Sequence, residues 1–175
     1  EVWITPLDDW LVPTVRGYRV NKALLAQHIA NEEDGNLIFV NQTFWKYEEG
    51  LWERLEDGQV KSQIHRVISD RKDALGCLTS ALVDDIFKQL GMILMAPKCF
   101  SFNHNPMVLN FTNGILDLKD VNFSDYHQRE LFQNIQFPFD FDRDQKCPLW
   151  MGFLKSLKFD DETVLRLQEW VGYCL

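Results

Sequence analysis

Three aspartates stand at alternate positions in Asp140-Phe141-Asp142-Arg143-Asp144-Gln145-Lys146. On an extended segment alternate side chains share a face, so these carboxylates could offer hard oxygen ligands to Mg²⁺, and Asp144 with Lys146 matches part of a metal-dependent nuclease signature. No pattern places a partner carboxylate, and the same residues read as a solvated loop running into a helix at Pro148. A second group of residues spans 45–72. Trp45, Lys46, Tyr47, Trp52 and Arg54 flank Glu48-Glu49-Gly50, and Lys61, Arg66, Arg71 and Lys72 follow, with Asp70 the one acid among residues 60–72. Cations hold phosphates and aromatic rings stack on bases. Lys46, Arg54, Lys61, Arg66, Arg71 and Lys72 are therefore the candidate nucleic-acid contacts, with Trp45 or Trp52 as stacking rings. The competing reading packs the aromatics onto the hairpin's own helices and leaves the charges solvated.

Other chemistries lack their residues. All nine glycines are isolated and no Gly-Lys-Ser/Thr loop is present, so nothing cradles a triphosphate. There is no Gly-x-Ser-x-Gly. His28, His65, His104 and His127 fall on different elements and read as surface or hydrogen-bonded residues. Cys77, Cys99, Cys147 and Cys174 form no Cys-x-x-Cys pair, which argues for reduced thiols rather than zinc or a disulfide framework. No catalytic residue, metal or cofactor is assigned to this stretch.

The elements that must position these residues follow from composition and periodicity. At 46% hydrophobic and 25% charged, the 175 residues can build a core and are not disordered. The net charge of −8 argues against a polybasic DNA coat but leaves room for a local basic face. Six Trp and 13 Phe suggest contact surfaces as well as core anchors. No apolar run reaches the roughly 18 residues that span a bilayer, so no membrane partner is expected.

Residues 1–20 contain Pro6, Pro13 and Gly17 and read as extended or irregular, with Trp3 and Trp10 available to pack. Asn21 caps a helix to about Asn31. A strand over 37–40 and a hairpin over 44–54 come next, then a turn at Asp57-Gly58. Val60, Ile64, Val67 and Ile68 mark a helix, and a further helix runs from about Lys72 to Leu90 with Gly91 near its C-cap. After Pro97 short strands are predicted at 100–102, 108–111 and 115–118, with a turn at Asn113-Gly114. Residues 131–141 read as an edge strand or loop interrupted by Pro138. Pro148 opens one helix, and Asp160 or Asp161 caps the last.

The expected class is α+β, with short β-hairpins packed on helices and mostly helical structure in the middle and at the C-terminus. Three parts are expected: 1–20 irregular, 21–95 helix-hairpin-helix, and 96–175 β-rich followed by two helices, with a break near residues 92–106.

Two stretches are distinctive together. One is Leu109-Asn110-Phe111-Thr112-Asn113-Gly114-Ile115-Leu116-Asp117-Leu118. The other is Cys147-Pro148-Leu149-Trp150, followed by Phe153-Leu154, Asp160-Asp161 and Leu167-Gln168-Glu169-Trp170-Val171-Gly172-Tyr173-Cys174-Leu175. Together they resemble the domain that precedes the superfamily-3 helicase in phage, plasmid and poxvirus primase-helicases. Phe39 to Trp52 is similar to that family's aromatic-x-Tyr-x-x-Gly-x-Trp hairpin, so the resemblance covers roughly 21–175.

The resemblance implies a non-catalytic linker or collar domain, between a primase-type module and a hexameric ATPase, that aids ring assembly and DNA handling. ATP and Mg²⁺ would belong to a helicase domain beyond Leu175, the chain itself reading as a piece of a longer protein. The implied partners are single-stranded or forked DNA, its own helicase domain and neighbouring protomers. The implied compartment is the cytoplasm of a bacterial host or an infected cell. A pure protein-interaction module without DNA contact and a metal-dependent nuclease using Asp140, Asp142 and Asp144 are the alternatives.

Overall fold

The computed structural model describes residues 10–173. Trp3 and the rest of residues 1–9, like Cys174 and Leu175, lie outside the described residues. Helices and small antiparallel sheets alternate irregularly along the chain, which makes the class α+β.

Residues 11–20 form a hairpin where irregular chain was expected. β1 (Leu11–Thr14) pairs with β2 (Gly17–Val20). Gly17 at φ +133° permits the tight return, and the Thr14 hydroxyl donates to the Gly17 carbonyl at 3.1 Å. In a two-stranded ribbon both strands are edges, so Pro13 is tolerated. Trp10 is 3% exposed and belongs to the core.

α1 (Lys22–Glu32) starts where Asn21 Oδ1 accepts the Leu24 N–H at 3.3 Å. β3 (Leu37–Val40), β4 (Thr43–Glu48) and β5 (Leu51–Leu55) form one antiparallel sheet in chain order. Glu49 and Gly50 turn the β4–β5 hairpin with φ of 49° and 88°, the mirror-image geometry that matches strand twist.

The turn expected at Asp57-Gly58 is instead the first turn of α2 (Asp57–Ser69). Gln59 Oε1 accepts the Glu56 N–H at 2.8 Å, and Asp57 sits favourably at the positive end of the helix. The single helix expected from Lys72 to Leu90 is two pieces: a 3₁₀ stretch, Lys72–Cys77, and α3 (Ser80–Ile93). Thr79 makes the break, because its hydroxyl caps the Leu82 N–H at 3.2 Å and starts a new helix. Gly91 lies inside α3 rather than at its end, where an added Cβ would stand 3.3 Å from the Phe39 ring.

Leu25, Ile29, Leu37, Phe44, Ile64, Ile68, Ile86 and Leu90 are buried in one cluster joining α1, α2, α3 and the sheet. Each such side chain contributes about 1.5–3 kcal/mol by leaving water.

A second antiparallel sheet holds β6 (Val108–Phe111), β7 (Gly114–Asp117) and β8 (Asn122–Ser124). Phe111 pairs with Gly114, so Thr112 and Asn113 make the turn, one position earlier than expected. Gly114 is an extended strand residue at φ +149°, and a Cβ there would collide with the Ser124 carbonyl. Phe100-Ser101-Phe102 is no strand. Residues 131–141 are not one strand: Leu131 closes a 3₁₀ turn (Arg129–Leu131), Phe132 is left-handed at φ 49°, and Phe137 bridges Phe111. The Asn113 side chain fastens that run, donating to the Phe141 carbonyl at 2.9 Å and accepting its N–H at 2.8 Å.

The chain forms two compact units, 1–141 and 142–175. The change of sequence character near Pro97 falls inside the first. The second holds α4 (Pro148–Ser156), with Pro148 in its first turn, and α5 (Asp161–Tyr173), capped by Asp160 accepting the Thr163 N–H at 2.7 Å. Among the described residues no helix is long and apolar enough to cross a membrane.

Candidate nucleic-acid interface

The aromatic residues of the β4–β5 hairpin pack against other parts of the chain, Phe44 and Trp52 fully and Trp45 and Tyr47 in part. Trp52 is 1% exposed, and its indole N–H donates to the Arg129 carbonyl at 3.1 Å. Its ring lies 5.5 Å from both Tyr47 and Phe132. Phe132 meets Phe100 at 4.8 Å, Phe100 meets Phe102 at 5.0 Å, and Phe102 meets Trp45 at 4.5 Å. These six rings form one chain that fastens segments 100–102 and 129–132 onto the hairpin. Trp52 is thereby corrected from a stacking candidate to a core residue, because a buried ring cannot reach a base. Trp45 is half-buried and stands opposite Arg54 across the ladder. It is the ring that remains at the surface beside a cation.

The six candidate cations divide into groups. Lys46 on β4 reaches Glu48 at 3.1 Å and Glu33 at 3.6 Å, and the bond with Glu48 holds its ammonium above the usual lysine range. Arg66 on α2 shares with Lys46 a cavity of about 600 Å³ that is also lined by Gln59, Ser62 and Gln63. Glu33 is held in this cavity by the Gln63 amide, which donates to it at 2.6 Å. Arg54 sits on the adjacent strand, 3.9 Å from Glu56. Lys61 is engaged with α3: its ammonium lies 2.8 Å from Asp84 and 5.2 Å from the Phe87 ring centre. Asp84 raises the Lys61 pKa through that bond. Arg71 lies over the Trp10 ring at 4.9 Å, a cation–π contact that ties the end of α2 to the core. Lys72 is exposed at the start of the 3₁₀ stretch.

Lys46 and Arg66 thus come together in one groove between β4 and α2. Lys61 and Arg71 are committed to contacts within the fold. The sequence reading overlooked Gln59, Ser62 and Gln63, although positions 59, 62, 63 and 66 share one helix face and carry the signal in their spacing. Amides and a hydroxyl between two cations suit a polar, phosphate-bearing chain: the cations meet phosphates, and the amides can donate or accept at sugars and base edges.

The acidic run does not assemble a metal site. Asp140 accepts the Thr112 hydroxyl at 2.5 Å. Asp142 accepts the Asp144 N–H at 2.9 Å, so 142–145 is a turn and the carboxylates do not alternate along a strand. Among the described residues no three His, Cys, Asp or Glu side chains are gathered as metal ligands would be. His127 is a packing residue, its Nδ1 3.0 Å from Asn110 Oδ1 and its ring against Gly50.

A protein-family model described as "D5 N terminal like" matches residues 22–158. No curated protein matches the chain.

Proposed function

The chain belongs to the D5 N-terminal-like family, the N-terminal, non-helicase domain type of phage and poxvirus primase-helicases, and from that premise we propose that it is a non-catalytic accessory domain of a DNA-replication helicase-primase. It passes single-stranded or forked DNA toward a ring ATPase and helps neighbouring protomers assemble. ATP and Mg²⁺ are used by the helicase domain and not by these residues.

The observation that carries the DNA-handling part is the groove between β4 and α2, where Lys46 and Arg66 flank Gln59, Ser62 and Gln63. An acidic chain that gathers two cations and three neutral polar side chains against one carboxylate, Glu33, in one groove has a local surface less acidic than its average. Fluorescence anisotropy with labelled single-stranded and forked oligonucleotides, titrated from low to moderate salt, tests it. Salt-dependent binding that Arg66→Ala weakens supports the reading. Binding that Arg66→Ala leaves untouched in both affinity and salt slope removes the groove from it.

The second reading, a protein-interaction module without DNA contact, draws on the helices of the second unit. Leu149 is 90% exposed and Trp170 65%, with Phe153 and Leu165 also more than half exposed. Bare apolar residues on two consecutive helices suit contact with another protein surface. A gel shift at low salt separates the two readings: no shift at high protein concentration leaves the interaction role alone.

A further inference from the structure

The groove between β4 and α2 contains one carboxylate, Glu33, at the end of α1. Its side chain is only 12% exposed. A negative charge there opposes the phosphates that Lys46 and Arg66 attract, so backbone binding alone gains nothing from it. Its two oxygens are unequally used. Oε1 accepts the Gln63 amide at 2.6 Å. Oε2 has the Lys46 ammonium at 3.6 Å, beyond good hydrogen-bond length, and that ammonium lies closer to Glu48, at 3.1 Å. A carboxylate so sheltered from water gains when its lone pairs are met, and Oε2 has capacity for further donors.

The groups beside Glu33 are donors. The Lys46 ammonium stands near one oxygen, and Gln63 spends one amide hydrogen on the other and keeps a second. Donors beside a carboxylate complement the Watson–Crick edge of guanine, which sets one acceptor, O6, next to two donors, N1–H and N2–H. Adenine and cytosine offer one amino group beside an acceptor, and thymine one N–H between two carbonyls. In an unpaired base that edge is open to side chains. Arg66 lies three residues beyond Gln63 on the same helix face, exposed and without an ion pair among the described residues. Its guanidinium fork suits phosphate oxygens. The groove, about 600 Å³, falls in the range of ligand sites.

We infer that this groove binds unpaired guanine: Glu33 accepts from N1–H and N2–H, Lys46 or Gln63 donates to O6, and Arg66 meets the phosphate. The inference deepens the DNA-handling reading and rests on the same groove. The chemistry is shared by guanine in a single strand and by a free guanine nucleotide.

The test is fluorescence anisotropy of the full chain with a labelled all-thymine oligonucleotide and with strands carrying one central guanine, adenine or hypoxanthine, the last being guanine without its amino group. The guanine strand should bind about fivefold tighter or more than the all-thymine strand, as for a well-made bidentate base contact. Adenine should bind like thymine, and hypoxanthine should fall between. Glu33→Gln should abolish the guanine preference while all-thymine binding stays equal or tightens, because a negative charge is gone; misfolding would weaken both. Calorimetric titration with deoxyguanosine and deoxyadenosine 5′-monophosphates separates the sources. Deoxyguanosine monophosphate bound as tightly as the guanine strand assigns free nucleotide, and much weaker binding assigns the strand. All-thymine binding that Arg66→Ala weakens, with no guanine preference, overturns this inference and leaves the DNA-handling reading standing. A preference retained in Glu33→Gln overturns it too. If no strand binds, the DNA-handling reading falls. The guanine site then survives only if deoxyguanosine monophosphate binds tighter than its adenine counterpart and Glu33→Gln removes the difference.

Discussion

The indole N–H of Trp52 donates to the main-chain carbonyl of Arg129 at 3.1 Å, across 77 residues of sequence. The Gln133 carbonyl accepts the Trp52 main-chain N–H at 2.8 Å, so one residue on β5 holds segment 129–133 by both its side chain and its backbone. Trp52→Phe keeps an aromatic ring but loses the indole bond and part of the buried ring volume. It should cost about 1–3 kcal/mol in urea denaturation, against about 3–5 kcal/mol for Trp52→Ala. Folded Trp52→Phe should bind DNA like the parent chain; a marked loss of affinity would return this ring to the interface.

Arg66 and Lys72 are the cations to remove together. Arg71 between them holds Trp10, and its loss would mix stability with binding. Arg66→Ala with Lys72→Ala should lower single-strand affinity and flatten the logarithmic salt slope by about 0.7 for each phosphate no longer neutralised. Lys61→Ala, whose ammonium is committed to Asp84, should change the slope far less. Anisotropy at a series of salt concentrations measures both, and equal slopes for all three proteins would contradict the division of the cations.

Gly50 turns at φ +88° with the His127 ring packed where a Cβ would go. Its carbonyl accepts the buried Asn110 amide at 3.0 Å, which joins the hairpin tip to the second sheet. Gly50→Ala meets both the conformational penalty and the collision. It should destabilise the first unit by roughly 2 kcal/mol or more, with the thermal midpoint dropping accordingly.

Asp160 is held below the usual carboxylate range, chiefly by its side-chain hydrogen bond with Thr163 and further by the backbone N–H of that residue. A lowered folded pKa means stabilisation that is fully present above the unfolded value, near 3.9, and lost as the pH falls through the lowered one. Circular dichroism should show α5 fraying as the pH drops below about 4. Asp160→Ala should fray the same helix already at neutral pH and remove that part of the acid transition. Helicity that falls identically in both proteins would assign the transition elsewhere.

Local chemistry wrote much of this fold directly. Asn21 before Lys22, Glu49-Gly50 between two aromatic strands, Pro148 and Asp160 each act within a few residues, so their caps and turns can be read from neighbours alone. The family resemblance was legible for the same reason, since it rests on short runs such as Asn110 to Leu118. Near misses came where two local signals competed. Asp57-Gly58 has the composition of a turn, but Gln59 reaching back to Glu56 makes it a helix start. Thr79 interrupts a helical apolar pattern because its hydroxyl caps Leu82.

The candidate site depended on what the sequence alone could not contain. Composition determined that the chain would have an aromatic core with scattered cations, and periodicity determined which helix faces are apolar. Whether Trp45 or Trp52 stays at the surface was decided by residues 100–102 and 129–132, which are distant in sequence and cover one ring more than the other. Which cations meet in a groove was decided the same way, because Lys46 and Arg66 are neighbours only once β4 has packed beside α2. Burial and charge pairing are properties of distances between remote residues, and those distances exist only in the folded chain.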